Sequence, residues 1–208
     1  PITKNKVAEK QNIPQPKGIR LAVSDKKNGL KEVLDYISVN SDNKRNKGIA
    51  TLLKKGLKNK ISIDFNGALK TAGVFSVKNN SIQLSPRGKT DIELEDLILH
   101  EAVHGLTSEK IKLYKNNKLK KNTKAYKSVK QLDEIYNTIK DGLSKDEETS
   151  IKALQTLIAD VKTGKISKKD ITSFQKELKE DFYGFTKLEE FVAELMTNPS
   201  FQQKLQKI

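Results

Sequence analysis

The stretch Asp96-Leu97-Ile98-Leu99-His100-Glu101-Ala102-Val103-His104-Gly105 determines how the rest of this chain is interpreted. If this stretch is a helix, its apolar side chains cover nearly the whole circumference. This pattern predicts a buried helix over about residues 94–111. His100 and His104 are four residues apart, so a helix places both imidazoles on one face. They are the only two histidines of the chain, and buried histidines need partners for their ring nitrogens.

The pattern His-Glu-x-x-His is typical of a zinc site. Two imidazoles at this spacing can bind one Zn²⁺, and Glu101 beside them can act as the base for a water on the metal. The alternative is a helix whose histidines have only a structural role. Both histidines of a histidine-poor chain fall on the motif, which favours the metal site. The sequence therefore predicts a zinc-dependent peptidase.

A catalytic zinc site with two histidines needs a third protein ligand and one open position. The chain has no cysteine and no further histidine, so the third ligand must be Asp or Glu. Glu190 and Glu194 share one face of a predicted helix that Thr186 can cap, and apolar residues flank them. Two carboxylates in apolar surroundings repel each other unless a cation lies near them. We therefore place Glu190 and Glu194 at the site and interpret Glu189 as a surface residue.

Tyr183 lies in the aromatic segment Asp181-Phe182-Tyr183-Gly184-Phe185, just before that helix. A phenol there could donate a hydrogen bond to a developing oxyanion. A core tyrosine whose hydroxyl finds a partner is an equally good interpretation. The residues by themselves leave the two open.

The two motifs together resemble the zincin metallopeptidases whose third ligand is glutamate. The resemblance is greatest to the group that contains anthrax lethal factor and the Pro-Pro endopeptidases. The chain is also similar to metallopeptidase modules of large phage and mobile-element polyproteins, in which (Ala/Gly)-Leu-Thr follows the motif. The matching segments are His100-Glu101-x-x-His104, His104-Gly105-Leu106-Thr107 and Glu190-Phe191-x-Ala193-Glu194.

This resemblance implies roles for individual residues. It implies that Glu190 binds zinc, that Glu194 supports the metal site from outside, and that Tyr183 helps to stabilise the transition state. The gap between His104 and Glu190 is longer than the group leads us to expect. We therefore interpret about residues 118–180 as a helical insertion or cap.

The flanking sequence predicts an α+β fold that is mainly helical, with a small, largely antiparallel sheet beside the motif helix. Short β runs with alternating or β-branched residues are found at 61–65, 74–77 and 82–84. The turn sequence Lys78-Asn79-Asn80-Ser81 predicts a hairpin, whose edge could accept an extended peptide. Helical spacing is found at 29–39, 48–57, 124–141, 145–162 and 167–180.

Residues 1–17 are polar and contain Pro14 and Pro16, which predicts an extended arm or linker. Residues 18–208 are long enough for a single metallopeptidase-like domain. Because the chain begins with Pro1, we expect a processed chain or a piece of a longer polypeptide or viral assembly. The sequence contains no membrane-spanning run and no signal peptide, and it leaves open whether the protein is virion-associated or secreted.

The net charge of +14 is carried mostly by lysine. It predicts either attraction to an acidic partner such as nucleic acid or a solubilising surface. The scattered lysines, without interleaved aromatics, favour the surface. The absence of cysteine excludes disulfides and thiolate ligands.

The expected partner is a peptide or protein substrate. One alternative hypothesis is a non-catalytic basic protein, associated with virions or nucleic acid, whose metal site is structural or vestigial. Another is a toxin-like protease that acts on one host protein.

Overall fold

The computed structural model describes residues 18–25, 28–69, 71–167 and 170–208, and the arm predicted for residues 1–17 lies outside them. The described residues form a mainly helical α+β fold with a small sheet, as the sequence predicts. The helices before the sheet are α1 (Ile19–Ser24), α2 (Leu30–Asn40) and α3 (Lys44–Gly56). The strands are β1 (Ser62–Phe65), β2 (Gly73–Ser76) and β3 (Ser81–Leu84). The elements after the sheet are α4 (Asp91–Lys115), α5 (Lys124–Asp141), α6 (Lys145–Thr163), α7 (Ser173–Phe182), a 3₁₀ turn (Tyr183–Phe185), α8 (Leu188–Thr197) and α9 (Pro199–Leu205).

The sheet is mixed and has the strand order β1-β3-β2. β2 and β3 form the predicted antiparallel hairpin, in which Asn80 adopts a left-handed conformation with φ 48°. β1 runs parallel to β3. After β1 the chain forms the edge strand β2 first and then returns to the central position with β3. One strand pair is therefore antiparallel and the other parallel, and β2 lies at an edge.

α4 is the central element of the fold. Thr90 and Glu93 form a capping box at its start. The acidic side chains in its first turn interact favourably with the positive end of the helix dipole. The helix packs against β2 and β3, and also against α3, α5 and α8. The helix is therefore covered from several directions. Its fully buried side chains are Leu94, Ile98, Leu99, Ala102, Val103 and Ile111.

α5 packs against both α4 and α8. The buried Tyr136 of α5 donates its hydroxyl hydrogen to the carbonyl oxygen of Phe185 at 2.9 Å, and its ring centroid lies 5.3 Å from that of Phe191. Burial raises the pKa of Tyr136 to about 12, so this phenol remains a donor. The contact ties the predicted insertion to the segment that carries Tyr183 and Glu190.

Several helix boundaries follow local signals. α6 begins with the predicted Ser144–Glu147 capping box and ends at Gly164, which has φ 80°. The predicted cap at Thr186 is wrong: the hydroxyl of Thr186 donates to the carbonyl of Tyr183 at 2.6 Å, and α8 begins after Lys187. The hydroxyl of Thr186 is bonded to the 3₁₀ turn, so it does not cap the start of α8.

The buried apolar side chains of the sheet and of most helices form one contiguous cluster. Within the ranges described above, no helix combines the length and apolarity needed to cross a bilayer.

Candidate metal centre

The three predicted ligands converge on one point. Nε2 of His104 lies 3.1 Å from Nε2 of His100 and 3.1 Å from Oε2 of Glu190, and Nε2 of His100 lies 3.2 Å from that oxygen. Ligand atoms about 2.0–2.1 Å from a tetrahedral Zn²⁺-sized ion lie roughly 3.3 Å from one another. The three atoms therefore fit around a single cation. In the described part of the chain, this is the one group of three or more His, Cys, Asp or Glu side chains that could hold a metal ion.

Two neutral imidazoles leave this arrangement short of one positive charge. A neutral imidazole carries one ring proton, and Nδ1 of His100 lies 3.5 Å from Oε1 of Glu194. If that nitrogen carries the proton, Nε2 of His100 directs a lone pair toward His104 and the carboxylate of Glu190. The site then needs either an additional proton or a metal ion at its centre.

The charges of the group show the same need for a cation. Burial raises the pKa of Glu190, but the hydrogen bonds from His100 and His104 and the nearby positive charges hold that pKa well below its usual range. Burial lowers the pKa of His100, but the hydrogen bond and charge of Glu190, with Glu194 and Glu101, raise it overall. A buried, ionised carboxylate therefore attracts positive charge to this point, whether a proton or a metal ion.

Glu101 lies beside the group and does not belong to it. Its side chain is buried, and burial raises its pKa above the usual value, against the opposing effect of His104 and His100. The backbone N–H of Phe75 in β2 is directed at this carboxylate as a hydrogen-bond donor. A carboxylate with a raised pKa next to a metal group is suited to accept a proton and to release it again.

β2 can approach Glu101 because residue 73 is glycine. A Cβ at Gly73 would lie 2.8 Å from Oε1 and 2.9 Å from Cγ of Glu101. The amide of Ser85 donates to the carbonyl of Ala72 at 2.7 Å. Because paired positions alternate along an antiparallel ladder, the backbone groups of Gly73 and Phe75 point away from β3. The free edge of the sheet therefore lies beside Glu101.

Tyr183 lies in the 3₁₀ turn that precedes α8, and its hydroxyl hydrogen-bonds to the carboxylate of Glu190. Burial, together with the charge of Glu190, raises the pKa of Tyr183 well above its usual value. The phenol therefore remains protonated and able to donate. Gly184 lets this turn pack against Phe201, since a Cβ there would lie 2.5 Å from the phenyl ring.

The remaining two glutamates of α8 have different surroundings. Glu194 lies beside Nδ1 of His100, and its Oε2 accepts a hydrogen bond from Nδ2 of Asn198 at 2.6 Å. Glu189 accepts instead from Nζ of Lys115 at 2.8 Å and lies outside the metal group. The structure therefore brings Glu190 and Glu194 to the histidines and directs Glu189 elsewhere.

Three residues next to the group were not predicted from the sequence: Gly73, Phe75 and Lys187. Nζ of Lys187 lies 3.0 Å from Oε1 of Glu190. The spacing of three residues across the start of α8 is a local signal for that pair. Gly73 and Phe75 have no such signal, because their contact with Glu101 depends on how β2 packs against α4.

Comparison of the chain with protein-family models, with curated proteins and with solved structures found no match. The function must therefore be inferred from the chemistry of the site.

Proposed function

We propose that this protein is a zinc-dependent endopeptidase of the zincin type. The observation that supports the proposal is the convergence of His100, His104 and Glu190 on one point, with the buried Glu101 beside them. Two imidazoles and one carboxylate are a ligand set found in catalytic zinc sites, which keep a fourth position open. Bound Zn²⁺ would polarise a peptide carbonyl and lower the pKa of water.

The side chains around the ligands would then move the protons. Glu101 takes a proton from the attacking water and later delivers it to the leaving amine. Tyr183 donates a hydrogen bond to the oxyanion that develops on the substrate carbonyl. Glu194, whose Oε1 lies 3.5 Å from Nδ1 of His100, would accept the proton of that nitrogen and so orient the ring, as outer partners of metal-bound histidines commonly do.

The free edge of β2 is the place that we propose for the substrate. An extended peptide can pair with an exposed strand edge through its main chain. The edge lies beside Glu101, at Gly73 and Phe75, so a peptide paired there would pass close to the proposed base and would compete with Glu101 for the N–H of Phe75. A chain that lies along an edge can continue in both directions, which favours cleavage within a peptide over removal of a terminal residue.

Removal of the metal is expected to abolish cleavage and to lower the melting temperature. A ligand at about 100 times its Kd stabilises the folded state by about 2.7 kcal/mol, or roughly 5–10 °C in Tm for a domain of this size. The measurements are the metal content of the purified protein, its Tm, and cleavage of a peptide library before and after chelation. Restored zinc should restore activity. Bound metal without cleavage would favour the non-catalytic alternative. A melting temperature that does not change on chelation would contradict the metal centre.

Gly73→Ala is expected to lower turnover by about a hundredfold and to leave the metal bound. The new methyl group would overlap the side chain of Glu101, and displacing a reacting group by about 1 Å can cost a factor of this size. The measurements are kcat and metal content. Gly48→Ala is the matched control, because a Cβ at Gly48 meets no atom within 4 Å. If Gly73→Ala retains full turnover, β2 does not constrain Glu101.

A further inference from the structure

Lys187 lies at the metal group and has no part in the reaction described so far. Its Nζ is 3.0 Å from Oε1 of Glu190, whereas Oε2 of that carboxylate is directed at both imidazoles. The two oxygens of Glu190 therefore have different partners. The side chain of Lys187 is 55% exposed and that of Glu190 only 5%, so the ammonium group lies on the open side of a buried ligand.

Helix stability does not explain this lysine. Lys187 is the residue before the first turn of α8 and makes no side-chain cap. A lysine has no acceptor with which to cap a helix start, and a positive charge near the positive end of the helix dipole is unfavourable. Its side chain instead reaches forward to Glu190, which indicates a role at the carboxylate.

A carboxylate can bind a cation through one oxygen or through both. With two imidazoles, a one-oxygen glutamate leaves a position open at a tetrahedral centre, as catalytic zinc sites require. A two-oxygen glutamate would add a further ligand atom, giving five-coordination when water is also bound, and would crowd that position. The partner of Oε1 therefore determines how much room substrate or water has at the ion.

We propose that Lys187 is a positioning residue that holds Oε1 of Glu190 and so keeps this glutamate a one-oxygen ligand. This inference rests on the proposed function, because it requires a metal ion bound by His100, His104 and Glu190. It differs from the simpler interpretation of an ordinary surface ion pair, which contributes little to stability and would not affect coordination.

The test is the visible absorption spectrum of the protein loaded with Co²⁺, since this spectrum reports the coordination number of the ion. The wild type and Lys187→Arg are expected to give an intense four-coordinate spectrum. Lys187→Met is expected to give a weaker, five-coordinate spectrum and lower turnover, because Oε1 is then free to bind the ion. Rescue by arginine would show that a cationic donor is what matters.

Lys115→Met is the matched control. Lys115 also pairs with a glutamate in the first turn of α8, and its side chain is exposed to a similar degree, 44% against 55%. That glutamate, Glu189, lies outside the metal group, so the Lys115→Met spectrum should equal that of the wild type. An unchanged spectrum in Lys187→Met would overturn the role of Lys187 alone. Failure of the wild type to bind Co²⁺ would overturn both this inference and the proposed metal centre.

Discussion

Glu101→Gln is expected to keep the metal and to lose peptide hydrolysis. Glutamine has nearly the same shape, and its side-chain oxygen can still accept from the amide of Phe75, but it cannot take up a proton. General acid–base catalysis typically contributes 10²–10⁴-fold, so kcat should fall by about that factor. The measurement is turnover of the best library peptide, with metal content determined on the same preparation.

Glu95→Gln separates this chemical effect from the effect of neutralising a buried acid. Glu95 and Glu101 lie on α4 and are each 6% exposed, but the carboxylate of Glu95 accepts from Ser41 and Asn46 on the side of α3. Glu95→Gln should therefore affect stability and leave kcat close to that of the wild type. Retained hydrolysis in Glu101→Gln would remove Glu101 from its role, and equal losses in both variants would point to a structural cause.

Glu190→Ala is expected to lose most of the affinity for the metal, and turnover with it. The change removes one of three ligands, so the loss should exceed the 10–100-fold that follows removal of an outer partner. Affinity is best measured by competition with a chromophoric chelator. The pH must be fixed, because protons compete with the metal for the ligands.

Glu189→Ala is the control for this variant. It removes the ion pair with Lys115, a half-exposed contact whose contribution is about 0–1 kcal/mol, and it should leave metal affinity unchanged. If Glu189→Ala instead lost the metal and Glu190→Ala kept it, the assignment of the third ligand would be wrong by one residue.

The sequence could predict the features whose cause lies within one or two helical turns. The spacing of His100 and His104 puts two ligands on one face whatever surrounds the helix. The capping box at Ser144 and the left-handed glycine at Gly164 mark the ends of α6 for similarly local reasons. Thr186 shows the limit of such signals. Its hydroxyl could accept from a backbone N–H at the start of α8 or donate to a nearby carbonyl, and in the structure it donates to Tyr183.

Pairing between distant segments could not be predicted in the same way. The alternation of residues 61–65 predicts a strand, but it does not say that β1 lies parallel to β3. Glu189 and Glu190 are adjacent residues of the same type, and the packing of α8 on α4 directs one to Lys115 and the other to the histidines. The position of Tyr183 at the carboxylate of Glu190 depends on the same packing.

By itself the sequence determined a mainly helical α+β fold, a buried helix with two imidazoles on one face, and a short set of acids from which a third ligand had to come. Only the tertiary structure showed that the predicted ligand Glu190 meets both imidazoles, that Gly73 lets β2 reach Glu101, and that Lys187 lies at the other oxygen of Glu190. Periodicity along a chain specifies which face of an element is buried. It does not specify which other element covers that face, and the geometry of the site depends on that choice.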